Sequence, residues 1–318
     1  MPRLSHDFLD SVLYLYRSAH EATEGMNIGG SGFLASVPAE TIPNGNFVYA
    51  VTNRHVIAVA DYVRLNTQEG GTHIERLPRE NWIRSKTDDL AIMAITVPHT
   101  VFAQRHVGSA LIMSKEYAGK IKLGIGDDVF MVGRFINHEG KQKNAPLVRF
   151  GSIAQMPSEP LVYDLEGKRH EQESIIADIR SIGGYSGSPV FLKEPNFIKR
   201  PDGGEAPDKH YLVGIDWGHI KMWSPVCGFD EKPIGYTQVN INSGMAGVIP
   251  AWKLLDMLME DNLVKHRKLE EEKYRSANAT TPAATDLSVP PSTEENPKHR
   301  EDFTSLVTSA ARKQKPDE

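Results

Sequence analysis

Short runs of apolar, aromatic and β-branched residues recur along the first 250 positions, each ended within a few residues by Gly, Pro, Asn or Asp. Runs of this length and spacing predict strands of an all-β body. They fall at residues 11–18 (Ser-Val-Leu-Tyr-Leu-Tyr-Arg-Ser), 33–37, 47–52, 62–65, 90–97, 128–132, 147–153, 174–179, 189–192, 211–216, 234–241 and 247–249. A glycine cluster, Gly29, Gly30 and Gly32, separates the first two. No long helical pattern alternates with these runs, so a sandwich or barrel is expected and a parallel α/β sheet is not. A helical signal comes late. Pro250 to Glu260 opens with a proline suited to a first turn and places Trp252, Leu255 and Met259 at helical spacing. The charged run from Lys265 to Arg275 is expected to extend that helix into solvent.

The pattern then stops. In residues 276–297, 15 of 22 positions are Pro, Ser, Thr or Ala, which marks a linker or disordered tail. Residues 298–315 regain an amphipathic spacing through Phe303, Leu306, Val307, Ala310 and Ala311. That segment reads as a transient isolated helix or as a candidate docking segment for a partner or for the body. The expected organisation is a body at 1–265 and a tail at 266–318.

The remaining composition sets limits. With 318 residues, 40% hydrophobic and 24% charged, the chain holds enough apolar mass for one large domain or two modest ones. The longest nearly apolar stretch, Leu90 to Val97, is far below the roughly 18 residues of a membrane span, so no membrane partner is expected. Lys+Arg 36 against Asp+Glu 41 gives −5, which argues against a nucleic-acid partner. The single cysteine, Cys227, excludes an internal disulfide and a cysteine zinc site, and reads as a small buried hydrophobe. No secretory leader is apparent in Met1 to Asp10, so a cytoplasmic location is expected.

Three segments carry candidate chemistry: Thr52-Asn53-Arg54-His55-Val56, Asp88-Asp89-Leu90-Ala91-Ile92 and Gly183-Gly184-Tyr185-Ser186-Gly187-Ser188-Pro189. A serine hydroxyl is a poor nucleophile at neutral pH and needs a general base within hydrogen-bond reach. An imidazole suits the task, and a carboxylate at its other nitrogen fixes tautomer and orientation. Backbone N–H donors must face the developing oxyanion, which flanking glycines allow. His55, Asp89, Ser186 and the amides of Gly184 and Ser186 could fill these roles. Each segment also has a plain reading, as a surface histidine, a turn aspartate and a glycine-rich turn.

Taken together the segments resemble the chymotrypsin-fold (trypsin-like) serine peptidases, nearest to the intracellular or HtrA-type branch. His55 lies in a Thr-x-x-His-Val pattern, Asp89 in Asp-Leu-Ala-Ile and Ser186 in Gly-x-Ser-Gly-x-Pro. Gly30-Ser31-Gly32-Phe33-Leu34, Gly126 to Gly133, Val213 to Gly218 and Gly244 to Pro250 are similar to further strands of that family, over about residues 11–262. The resemblance implies two six-stranded antiparallel barrels, at about 11–118 and 119–250, with a closing helix at 250–262. It implies a Ser-His-Asp triad acting on a protein or peptide substrate through an acyl-enzyme, without cofactor or metal. Asp89 is favoured over Asp88, which would be a solvated neighbour. The strand at Asp216, Trp217 and Gly218 would bind substrate backbone, and Arg180 would be a candidate specificity residue. Secreted relatives carry an Asp just before the nucleophile for zymogen activation; Tyr185 stands there, so such a switch is not implied. Residues 266–318 do not read as the PDZ domain that most HtrA-type proteins carry after the peptidase body, so control by such a module is not implied. A catalytically silent peptide-binding or scaffold protein on the same fold is the alternative. An α/β-hydrolase esterase is disfavoured, because it needs Gly-x-Ser-x-Gly and the order Ser, acid, His.

Overall fold

The computed structural model describes residues 4–134, 140–165, 168–181, 183–193, 209–227, 229 and 232–279. Its strands are β1 (Val12–Tyr16), β2 (Ile28–Pro38), β3 (Asn46–Thr52), β4 (Tyr62–Asn66), β5 (Thr72–Arg76), β6 (Ile83–Arg84), β7 (Ala91–Ala94) and β8 (Val107–Gly108) in the first half. The second half has β9 (Asp128–Gly133), β10 (Leu147–Gln155), β11 (Leu161–Leu165), β12 (Lys168–Gln172), β13 (Ile175–Asp178), β14 (Pro189–Leu192), β15 (Leu212–Cys227) and β16 (Pro233–Pro250). Among the described residues six α-helices accompany them: α1 (Asp7–Asp10), α2 (Ala19–Glu24), α3 (Arg54–Ile57), α4 (Lys115–Lys120), α5 (Ala251–Leu258) and α6 (Asp261–Ala279).

The chain is mostly β, in two antiparallel bodies. The second is a closed six-stranded barrel in the order β10-β13-β16-β15-β14-β9. The first differs from the expected six-stranded ring. It pairs as an eight-stranded sheet, β5-β4-β1-β2-β3-β7-β6, with β8 added parallel to β2. The end strand β6 has only two residues, which leaves little ladder with which to close a ring.

Strand β1 shows how the sequence builds this core. All five residues are buried. Val12, Tyr14 and Tyr16 face one apolar cluster, which continues through Phe33 into Phe130, Phe191 and Ile249 of the barrel. Leu13 and Leu15 face the other, with Leu34, Ala50, Leu65 and Trp82. A period of two on a strand buried on both sides gives an unbroken apolar run. The shared cluster fixes the two bodies against each other.

Strand β2 starts earlier than the glycine cluster suggested, because the glycines lie within it. A Cβ on Gly30 would stand 2.6 Å from Val56 Cγ2 and 3.2 Å from the Ser186 carbonyl, and one on Gly32 would stand 2.6 Å from the Val51 carbonyl. The glycines are where three segments meet, not a turn.

Two further expectations change. Residues 265–275 are helical, but one face is covered: Leu263, Arg267 and Glu271 form a buried stripe on α6, while Lys268, Leu269 and Tyr274 are exposed. Arg267 Nη1 donates to Tyr49 OH at 3.1 Å. The Glu271 carboxylate accepts from Glu40 N–H at 2.8 Å and Thr41 Oγ1 at 3.0 Å. The body therefore extends past residue 265, with α6 lying across the β2–β3 hairpin. The segment at 298–315 lies outside the described residues. Cys227 is exposed, not buried, because β15 and β16 run on beyond the barrel as a two-stranded ribbon. No helix among the described residues is long and apolar enough to cross a membrane.

Candidate active site

His55 sits on the single-turn helix α3, directly after β3. The loop before β7 carries Asp89 back to it. Asp89 Oδ1 accepts the His55 backbone N–H at 3.0 Å, and Asp89 Oδ2 lies 2.5 Å from His55 Nδ1. The carboxylate is 2% exposed and the imidazole 41%, so the acid is shielded while the ring opens toward solvent. Two amide side chains hold the acid in place. Asn53 Nδ2 donates to the Asp89 carbonyl at 2.8 Å, and Asp89 N–H donates to Gln172 Oε1 at 2.9 Å. Gln172 ends β12, so the two-stranded β11–β12 hairpin, inserted between barrel strands β10 and β13, reaches across to the first body's carboxylate.

Asp88 is turned elsewhere. Its Oδ2 accepts from Thr87 Oγ1 at 2.7 Å, and its Oδ1 lies 4.0 Å from Lys253 Nζ. It is buried, at 4% exposure, and not the solvated neighbour the sequence suggested. The hydroxyl and the α5 lysine make that burial tolerable.

Ser186 lies on a turn stitched to the first body. The Tyr185 carbonyl accepts Ser188 N–H at 2.8 Å, and Gly187 adopts φ +90°. A trans peptide points its N–H opposite its C=O, so the Ser186 amide is directed to the far side of this turn. Ser31 is the strut. Its N–H donates to the Ser186 carbonyl at 2.8 Å, and its hydroxyl donates to the Gly184 carbonyl at 2.8 Å. Thr52 Oγ1 in turn donates to the Ser31 carbonyl at 2.7 Å. Tyr185 is fully buried, and its OH accepts from Arg149 Nε at 2.9 Å. In the sequence Ser31 stood out only within the Gly30–Leu34 strand segment, and Gln172 not at all. The Gly-Ser-Gly setting of Ser31 was the available signal; Gln172 had none.

A Cβ at Gly187 would run into the Ser31 carbonyl oxygen and the Thr52 hydroxyl, at a φ that L side chains avoid. Gly187→Ala is therefore expected to destabilise the chain by roughly 3 kcal/mol and to lower turnover. Urea unfolding checks the first effect; a change under about 0.5 kcal/mol would contradict this account of the turn.

The Ser186 hydroxyl donates to the Trp217 carbonyl at 3.3 Å, and not to His55. The α3 helix and the Ser186 turn do meet at Gly30, where an added Cβ would stand 2.6 Å from Val56 Cγ2 and 3.2 Å from the Ser186 carbonyl. Catalytic hydrogen bonds are often loose without substrate, and a rotation about one side-chain bond redirects Oγ.

The remaining residues divide. Trp217 Nε1 donates to Ser174 Oγ at 3.2 Å, and Gly218 takes φ +149°. Asp216 departs from the expected substrate-binding role. Its carbonyl accepts Gly187 N–H at 2.8 Å and its N–H donates to the Ser188 carbonyl at 2.9 Å. Its main chain thus serves the turn that carries Ser186, and its side chain is fully buried. Burial raises the Asp216 carboxyl to about 7, against a lowering by Ser181, His55 and the Gly218 amide. Arg180 is exposed two residues after β13 and makes no hydrogen bond or ion pair among the described residues. Among the described residues, no group of three or more His, Cys, Asp or Glu side chains could hold a metal ion.

No protein-family model matches the chain, and no curated protein does. Solved structures do. An HtrA-type protease AlgW with tripeptide is 18% identical with a TM-score of 0.41, over 79% of this chain and 61% of that one. The chain thus spans less than two thirds of that protein's length. The Rv3671c protease from M. tuberculosis in its active form is 16% identical with a TM-score of 0.43, over 79% of this chain and 80% of that one. At these values the likeness adds no weight to the reading that follows, which rests on side-chain geometry.

Proposed function

We propose that the chain is a serine endopeptidase acting through Ser186, His55 and Asp89. The observation that supports this most is the shielded Asp89 carboxylate, which takes both the backbone N–H and Nδ1 of His55. That double contact puts the proton on Nδ1 and leaves Nε2 as a base. The glycine-flanked Ser186 is the nucleophile. Its Oγ attacks the scissile carbonyl carbon while its proton passes to His55 Nε2. The resulting oxyanion is held by the amides of Gly184 and Ser186. His55 then gives the proton to the leaving amine as the C–N bond breaks, and an ester to Ser186 remains. Water, deprotonated by His55, releases the acid and restores the hydroxyl. The substrate is a protein or peptide in extended form, running along Trp217 and Gly218. No cofactor or metal takes part.

A second reading, a peptide-binding protein without turnover, draws on the hydroxyl's engagement with Trp217. A fluorophosphonate separates the two. Intact mass is expected to rise by one adduct, with the label on the Ser186 peptide and none on His55→Ala protein. Wild-type protein left unlabelled, or label carried by another serine, would overturn the endopeptidase reading.

A further inference from the structure

The ribbon that β15 and β16 form outside the barrel is open on both edges. Among the described residues β14 pairs with β15 no further than Ile215, and β13 with β16 no further than Met245. From there the two strands pair with each other, out to Cys227 and Pro233. A lone two-stranded hairpin is marginal in water and gains stability from further strands. The register sorts its side chains. Met222 stands opposite Ile241 and Ser224 opposite Val239, so these share one face. Trp223 with Asn240 and Pro225 with Gln238 share the other. Met222 is 50% exposed, Val239 47% and Ile241 36%, an apolar stripe facing solvent.

The two edges differ. Open edges are ordinarily blunted by charge and proline. Strand β15 has Lys221 and Pro225. Elsewhere β5 ends in Glu75 and Arg76, and β12 reads Lys-Arg-His-Glu-Gln. Strand β16 has no Asp, Glu, Lys, Arg or His among its 18 residues, and no proline between its first and last. Residues 233–242 of it are exposed throughout. Across a two-fold axis an edge meets a copy of itself, so any charge near the axis would oppose its like. This edge carries none.

We propose that the β16 edge pairs antiparallel with the same edge of a second copy of this chain, about a two-fold axis at Gln238, the middle of the open run 234–242. An axis on a residue keeps odd positions opposite odd ones. Val239 of one copy then meets Thr237 of the other, and Asn240 meets Tyr236. The apolar stripes of the two copies join into one, because successive side chains alternate between faces. Four strands in the order β15-β16-β16-β15 replace two. The outer strands are the blunted ones, so the pair closes on itself and does not grow into a fibre. Strand β15, with Trp217 and Gly218, stays outermost. The inference is independent of what Ser186 does.

Sedimentation velocity on the full chain is the first test. Wild type is expected to run as a dimer at about 100 μM, a concentration high enough for a small interface. Val239→Lys sets two charges close to the axis and is expected to run as a folded monomer. Ser224→Lys puts the same charge on β15, away from the axis, and is expected to remain dimeric. The second test is covalent. In a Cys227→Ser background, Gln238→Cys is expected to give a disulfide-linked dimer on mild oxidation, because the axis sets the two copies of that position face to face. Ile234→Cys in the same background meets Asn242 of the other copy and is expected to stay unlinked. Wild type that is monomeric at about 100 μM would overturn the proposal and leave the ribbon to another occupant, such as the chain's own segment 298–315. A dimer that Val239→Lys leaves intact would overturn it too, since another surface would then hold the copies. Should Val239→Lys fail to fold, the crosslink decides, and no linked dimer from Gln238→Cys would end the proposal.

Discussion

Purified Ser186→Ala protein is expected to hydrolyse peptides with a kcat about 10⁶-fold below wild type, at an unchanged melting temperature. The two halves of this expectation have separate causes. The turn is held by main-chain bonds, Ser31 N–H to the Ser186 carbonyl and Ser188 N–H to the Tyr185 carbonyl, which alanine keeps. The hydroxyl's own bond, to the Trp217 carbonyl at 3.3 Å, is long. Structure is therefore expected to survive while the proposed nucleophile is lost. Residual turnover would then come from the proposed oxyanion donors and from substrate positioning. A melting temperature lower by more than a few degrees would show that the hydroxyl carries structural weight.

Asp89→Asn is expected to lower kcat by about 10⁴. The geometry says which way the new amide would sit. Asp89 Oδ1 accepts the His55 backbone N–H at 3.0 Å, a bond that only the amide oxygen can keep. The NH₂ then falls on Nδ1, where the second carboxylate oxygen now stands at 2.5 Å. It donates, forces the proton of a neutral imidazole onto Nε2, and leaves no lone pair to accept from Ser186. The Asn53 and Gln172 bonds go to the Asp89 main chain and remain, so the fold is expected to be intact. Steady-state kinetics on folded variant checks this. A loss under tenfold would mean that the carboxylate does not set the imidazole's tautomer.

The sequence exposes some of these parts and hides others for physical reasons. Strands buried on both faces, such as β1 and β9, announce themselves as apolar runs. His55, Asp89 and Ser186 are legible because local motifs surround each, though only the fold shows that Asp89 and not Asp88 reaches the imidazole. Strand β5, Thr-His-Ile-Glu-Arg, is half-buried and polar, so nothing marks it against a loop. The docking of α6 depends on Glu271 meeting Glu40, 231 positions away, and on Arg267 meeting Tyr49. A charged helical stripe reads as solvated until such partners are known. Gln172 was missed as a partner of Asp89 for the same reason, because their one contact arises only on folding.

The most direct test is a crystal structure of the chain reacted with a peptidyl boronate, a group that bonds to an activated serine. The expected density joins boron to Ser186 Oγ, sets one boronate oxygen within about 3 Å of the Gly184 and Ser186 nitrogens, and places His55 Nε2 within hydrogen-bond reach of the adduct. Boron bound elsewhere, or an imidazole that stays out of reach of the adduct, would contradict the account.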